Sequence, residues 1–135
     1  MSVRIRYRIE VAVSSTTAEE KDLGNLKFEI VDDSQNDGGS WKTLLLAGTA
    51  TTQIPLDSIT TANFLMLKTN PKDPNQPASV INITKNSPTG EVVVVQPLGS
   101  NKEGHLVLST SGITALYAAN PGPTNMELTV VACGD

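Results

Sequence analysis

"GHLVLSTSGITALYAANPGPTNMELTVVACGD", residues 104–135, is the stretch whose reading decides the fold. Met126, Leu128, Val130 and Ala132 alternate with Glu127, Thr129, Val131 and Cys133. Successive side chains of an extended chain point to opposite faces, so alternation at period two predicts a strand with one buried face. "HLVLST" and "ITALYAAN" read as two further strands flanking Ser111–Gly112, and the prolines of "PGPTN" mark a loop. Three sheet segments with hardly any reactive side chain read as framework.

The same pattern extends to the other end of the chain. Val3, Ile5, Tyr7, Ile9, Val11 and Val13 share one face, and Arg4, Arg6, Arg8, Glu10 and Ala12 share the other. Leu26, Phe28 and Ile30 alternate in "NLKFEIV". Between them, Thr16 and Glu19 have capping-box spacing and Gly24 suits a helix end, so "SSTTAEEKDLG" reads either as a short helix or as an extended polar loop. "DDSQNDGGS", residues 32–40, is expected to be an exposed loop. "WKTLLLAGTATTQIPL" predicts one or two short strands, and "ANFLMLKTN" a buried one. The three prolines of "PKDPNQP" make a loop, and "SVINITK" and "EVVVVQPL" are strands.

These segments make about eight short strands at spacings near ten residues. The expected fold is all-β: a single domain over residues 1–135, an antiparallel β-sandwich of jelly-roll or Ig-like type. The 135 residues suffice to bury one core, and with aromatics at 4% that core must be Val, Leu, Ile and Ala.

Composition narrows the function. Charged residues are 18% and the net charge is −4, which argues against a nucleic-acid partner bound by phosphate neutralisation. One cysteine, Cys133, cannot form an internal disulfide. The N-terminus interleaves charge with apolar residues, unlike a signal peptide, and no apolar run is long enough to cross a bilayer. A soluble protein made in the cytoplasm, with no membrane partner, is expected.

Reactive groups are sparse. His105 is the single histidine; it reads as a strand-start residue, with a catalytic dyad beside a Ser or Asp as the alternative. No nucleotide-binding glycine pattern occurs, "LSTSG" fails the nucleophile-elbow pattern, and the lone His and Cys lack metal-ligand spacing. Cys133 has no cation or base near it in sequence and reads as an incidental strand cysteine. In the acidic segment Asp33, Asp37 and Gly38 fit calcium-loop positions one, five and six, but Gln35 holds position three and Leu44 stands where a bidentate Glu is required. "NIT", residues 82–84, matches a glycosylation acceptor but reads as strand interior. No catalytic residue, metal or cofactor is therefore expected.

Contact with a macromolecular partner fits better, and Arg4, Arg6, Arg8, Asp32, Asp33, Asp37 and Trp41 are the candidate contact residues. The arginine stripe pairs with acids on a neighbouring strand, lies solvated, or meets an acidic surface on another subunit. Trp41 reads as a core or loop-packing residue, with a sugar-stacking platform as the alternative.

The segments Ala62–Thr69, "ANFLMLKT", and Ile113–Pro121, "ITALYAANP", together with the closing Gly134-Asp135, carry a resemblance. With them the chain from Lys42 onward resembles small virion structural proteins of tailed bacteriophages; the first third does not visibly match. The resemblance implies a non-enzymatic β-sandwich protein of the capsid decoration (cement) type, or a tail accessory subunit. It implies as partners the major capsid protein or tail proteins of the same phage, and a place on the virion, the capsid surface foremost. Self-association is expected with it, as a trimer suited to a local threefold. Light charge suits such a role, because uncharged surface is easier to desolvate in a contact. The alternatives are a carbohydrate- or receptor-binding β-sandwich module and, third, a small enzyme using His105.

Overall fold

The structure, a computed structural model, describes residues 3–14, 22–36, 38–98 and 102–135. In chain order the strands are β1 (Val3–Ser14), β2 (Asp22–Asn36), β3 (Gly38–Leu46), β4 (Thr51–Ile54) and β5 (Ala62–Pro71). Then follow β6 (Ile81–Lys85), β7 (Val92–Val95), β8 (Gly104–Ile113), β9 (Leu116–Ala119) and β10 (Met126–Gly134). Among the described residues the chain is all-β, with antiparallel sheets and no helix, and one sheet curls into a half-barrel.

The last strand is a central one. β10 pairs with β3 on one side and β5 on the other, and β8 completes a sheet of order β3-β10-β5-β8. A second sheet has the order β4-β9-β6-β7, and β1 and β2 form a two-stranded ribbon. The alternation read from the sequence explains why β10 can sit in the middle. Met126, Leu128, Val130 and Ala132 are buried on one face, while Glu127, Thr129 and Val131 lie half-buried on the other.

One buried cluster draws on both four-stranded sheets. Leu65 and Leu67 of β5 and Leu128 of β10 come from the first sheet; Ile81 and Ile83 of β6 and Leu116 of β9 come from the second. Each such side chain, removed from water, contributes about 1.5–3 kcal/mol. With only two phenylalanines in the chain, this aliphatic interior supplies most of the apolar burial.

Several expectations are corrected. Asp32–Asn36 and Gly38–Ser40 are strand, not loop: Ile5 pairs with Asp32, Val3 with Asn36, and Gly38 and Gly39 pair with Gly134 and Cys133. Backbone ladders set these pairings, and a side-chain pattern does not reveal them. Gly24 lies in β2 opposite Val13 rather than at a helix end; Thr16 and Glu19 lie outside the described residues. Leu26, on the apolar side of β2, is 61% exposed. Ser111–Gly112 does not separate two strands, because β8 runs through it to Ile113. There β8 spans Ser109 to Ile113 while β5 advances only from Phe64 to Ala62, and Gly112 takes the left-handed φ of 80° at this bulge. Ten strands are described where about eight were expected.

Candidate functional site

The outward face of the β3-β10-β5-β8 sheet carries most of the charged chemistry of the two sheets. Register brings residues far apart in sequence into rows across it. Thr43 stands opposite Thr129, Thr129 opposite Lys68, and Lys68 opposite His105. The next row runs Leu45, Glu127, Asn70. On the other side of the threonine row, an apolar row runs Trp41, Val131, Met66, Val107.

Over the two polar rows lies a groove of about 540 Å³, floored by residues that include Thr43, Thr129, Lys68 and Asn70. Pro71 and Pro74 wall one side, where the proline loop follows β5. That loop is fastened to the start of β8: Lys102 Nζ donates to the Pro74 carbonyl at 3.1 Å and the Gln76 carbonyl at 2.8 Å. Asp73 Oδ1 accepts from the Asn75 amide at 2.9 Å and shapes the loop from within.

Each carboxylate in the groove has a fixed partner. Glu127 Oε1 meets Lys72 Nζ at 2.9 Å, and Asn70 Nδ2 lies 3.5 Å from Oε2. The Lys72 hydrogen bond, and after it that of Asn70, holds the Glu127 carboxyl below its usual range. Glu103 lies 3.2 Å from Lys68 Nζ and 3.5 Å from His105 Nε2. Thr43 and Thr129 hydroxyls share a hydrogen bond at 3.3 Å.

The second sheet presents a different outward face. One row reads Thr51, Ala119, Asn82, Val94, and the next reads Gln53, Tyr117, Thr84, Val92, of which Thr84 is buried. These rows contain no Asp, Glu, Lys, Arg or His. β7 closes the sheet as an edge strand, with Val92 50% and Val94 55% exposed. Leu98, just beyond it, is exposed and bridges to Glu103 through its backbone.

The residues singled out from sequence fall on several surfaces. Trp41 is 77% exposed at edge strand β3, not packed in a core or loop, because its side of the strand faces outward with Thr43 and Leu45. Arg6 and Arg8 are exposed; Arg8 lies 3.5 Å from Glu10 and is opposite Glu29 in register. Asp37, and the side chains of Arg4, Asp32 and Asp33, lie outside the described residues. His105 is the second residue of β8, exposed beside Glu103. Cys133 is buried, and burial pushes its thiol up. Among the described residues no three His, Cys, Asp or Glu side chains gather to hold a metal ion.

Sequence reasoning missed the groove. Thr43, Lys68, Asn70, Glu103, Glu127 and Thr129 share no local motif, and only the pairing of β3, β10, β5 and β8 assembles them. No protein-family model and no curated protein matches the chain.

Proposed function

We propose that the protein is a non-enzymatic virion structural subunit of a tailed bacteriophage, a capsid decoration protein that binds and stabilises the shell of the major capsid protein. In this reading the eight strands of the two four-stranded sheets form a β-sandwich in one domain, and the β1–β2 ribbon is an appended contact arm carrying Arg4, Arg6 and Arg8. A trimer on a local threefold of the shell is the expected assembly. A tail accessory subunit is the variant of the same reading.

The observation that supports it is the outward face of the β4-β9-β6-β7 sheet. Its two rows, from Thr51 to Val94 and from Gln53 to Val92, carry no charge in a chain of net charge −4. An uncharged face with exposed valines at its edge sheds water readily and meets no like-charge penalty on a repeated subunit. The test is velocity sedimentation of the purified protein, followed by pelleting with empty shells of the phage that encodes it. A discrete oligomer that pellets with shells supports the reading. A monomer that pellets with neither shells nor tails contradicts it.

A second reading, a carbohydrate-binding β-sandwich module, is favoured by one observation: Trp41 is 77% exposed beside a polar groove. Aromatic rings that stand free beside hydrogen-bonding side chains suit the apolar faces and hydroxyl rims of sugars.

A further inference from the structure

We propose that the groove across β3, β10 and β5 binds a segment of neutral glycan, with one sugar ring stacked on Trp41 and its neighbours hydrogen-bonded along the threonine row. This deepens the second reading above and rests on it.

The platform and the groove are contiguous. Trp41 and Thr43 lie two residues apart on one face of β3, about 6.6 Å along the strand. Thr43 lines the groove, so a ring on the indole places the next ring over Thr43 and Thr129. From there the row continues to Lys68 and His105, giving two hydroxyls, an ammonium and an imidazole in line. Strands are spaced about 4.8 Å apart, so Thr43, Thr129 and Lys68 form a ladder of donors and acceptors on the groove floor, with His105 beyond its lining. The volume of about 540 Å³ holds a ligand of small-molecule size.

The charges select a neutral ligand. Lys72 is held by Glu127, Lys68 by Glu103, and Lys102 by two backbone carbonyls. In the groove's own lining the two ammoniums, Lys68 and Lys102, are matched by the two carboxylates, Glu103 and Glu127, which suits vicinal hydroxyls better than a phosphate or a polyanion. Asn70 Nδ2 is committed to the Pro71 carbonyl and Glu127 Oε2, so what this pair offers a ligand is acceptors: Asn70 Oδ1 and the Glu127 lone pairs that Lys72 and Asn70 leave open. Side chains already fixed by these bonds lose little freedom when a ligand arrives.

The chain contains one tryptophan, so its emission reads this site directly. The experiment titrates the full chain with maltohexaose, cellohexaose and chitohexaose, and with heparin at low and high salt, following fluorescence. Calorimetry is then run on Trp41→Ala and Thr129→Val. The expected result is saturable binding of at least one neutral hexasaccharide, weakened about tenfold or more by each substitution while the thermal midpoint stays within a few degrees. Full-strength sugar binding by both variants would place the sugar elsewhere and overturn the groove assignment, leaving the sugar-binding reading intact. Absence of any response to the neutral hexasaccharides at millimolar concentration overturns both. A response to heparin alone, lost at high salt, overturns the neutral-ligand assignment.

Discussion

Asn120 joins the two sheets at Leu46: its Nδ2, just past β9, donates to the carbonyl of the last residue of β3 at 3.2 Å. The same amide also donates to the Thr124 carbonyl at 2.7 Å, and its Oδ1 accepts from the Gly122 amide at 3.2 Å. The side chain is almost wholly buried, so these partners stand in for water. Asn120→Ala is expected to lower stability by about 2–3 kcal/mol, because buried carbonyls lose their donor. Asn120→Asp is expected to do at least as much, since a carboxylate cannot donate. Urea denaturation checks both; a shift below about 0.5 kcal/mol would contradict this role.

Thr69 and Gly104 lead to a prediction of opposite sign. Thr69 Oγ1 is buried without a hydrogen-bond partner among the described residues, opposite Gly104 in register. Thr69→Val keeps the shape and removes the orphan hydroxyl, so it is expected to raise stability by about 1 kcal/mol. Gly104→Ala is expected to lower it by about 1–3 kcal/mol, because the new methyl would stand 2.6 Å from Thr69 Oγ1 and 2.8 Å from Val95 Cγ1. The thermal midpoints of the two variants should move in opposite directions.

Glu127 gives a pH dependence with a defined sign. Its carboxyl is held below the ordinary value of 4.5, first by the Lys72 hydrogen bond and next by that of Asn70. The folded state therefore holds this proton less readily than the unfolded chain. The stabilisation is complete above the ordinary value and is lost as pH falls through the lowered folded value. The midpoint advantage of the native chain over Glu127→Gln should be present near neutrality and narrow from about pH 4.5 downward. An advantage that grows on acidification would reverse the assignment.

Cys133 reports the opening of the central strand. It is buried on β10 between Gly39 of β3 and Phe64 of β5, and burial alone pushes its thiol up. A thiol reagent at mildly alkaline pH is expected to label the native protein slowly and the urea-unfolded protein at once. Fast labelling of the native state would show that β10 is not held as described.

The framework was legible where the side-chain period alone sets the structure. In β10 the alternation from Met126 to Ala132 names the buried face residue by residue, and Ile81 and Ile83 of β6 do the same. It was not legible where backbone pairing decides. Asp32–Asn36 has a loop's composition, yet it forms strand because Val3–Ile5 lies opposite. The exposure of Trp41 is not legible because the sequence says that the residue alternates with Lys42 but not which side faces the core. Leu44 and Leu46, on Lys42's side, settle that only once the strand is paired. The groove needed the register of four strands, which no single stretch contains.

The proposed docking role of the second sheet's outward face is tested most directly by putting charge on it. Val92 and Val94 are exposed on edge strand β7, so the double substitution Val92→Lys, Val94→Lys should leave the fold and its thermal midpoint nearly unchanged. Co-sedimentation of native and doubly substituted protein with the empty phage shells that the proposed role calls for is the decisive measurement. The account predicts that the native chain pellets with shells and that the variant binds at least about tenfold more weakly, since two ammonium groups would have to be desolvated in the contact. Equal pelleting of both proteins, or pelleting of neither, would contradict it.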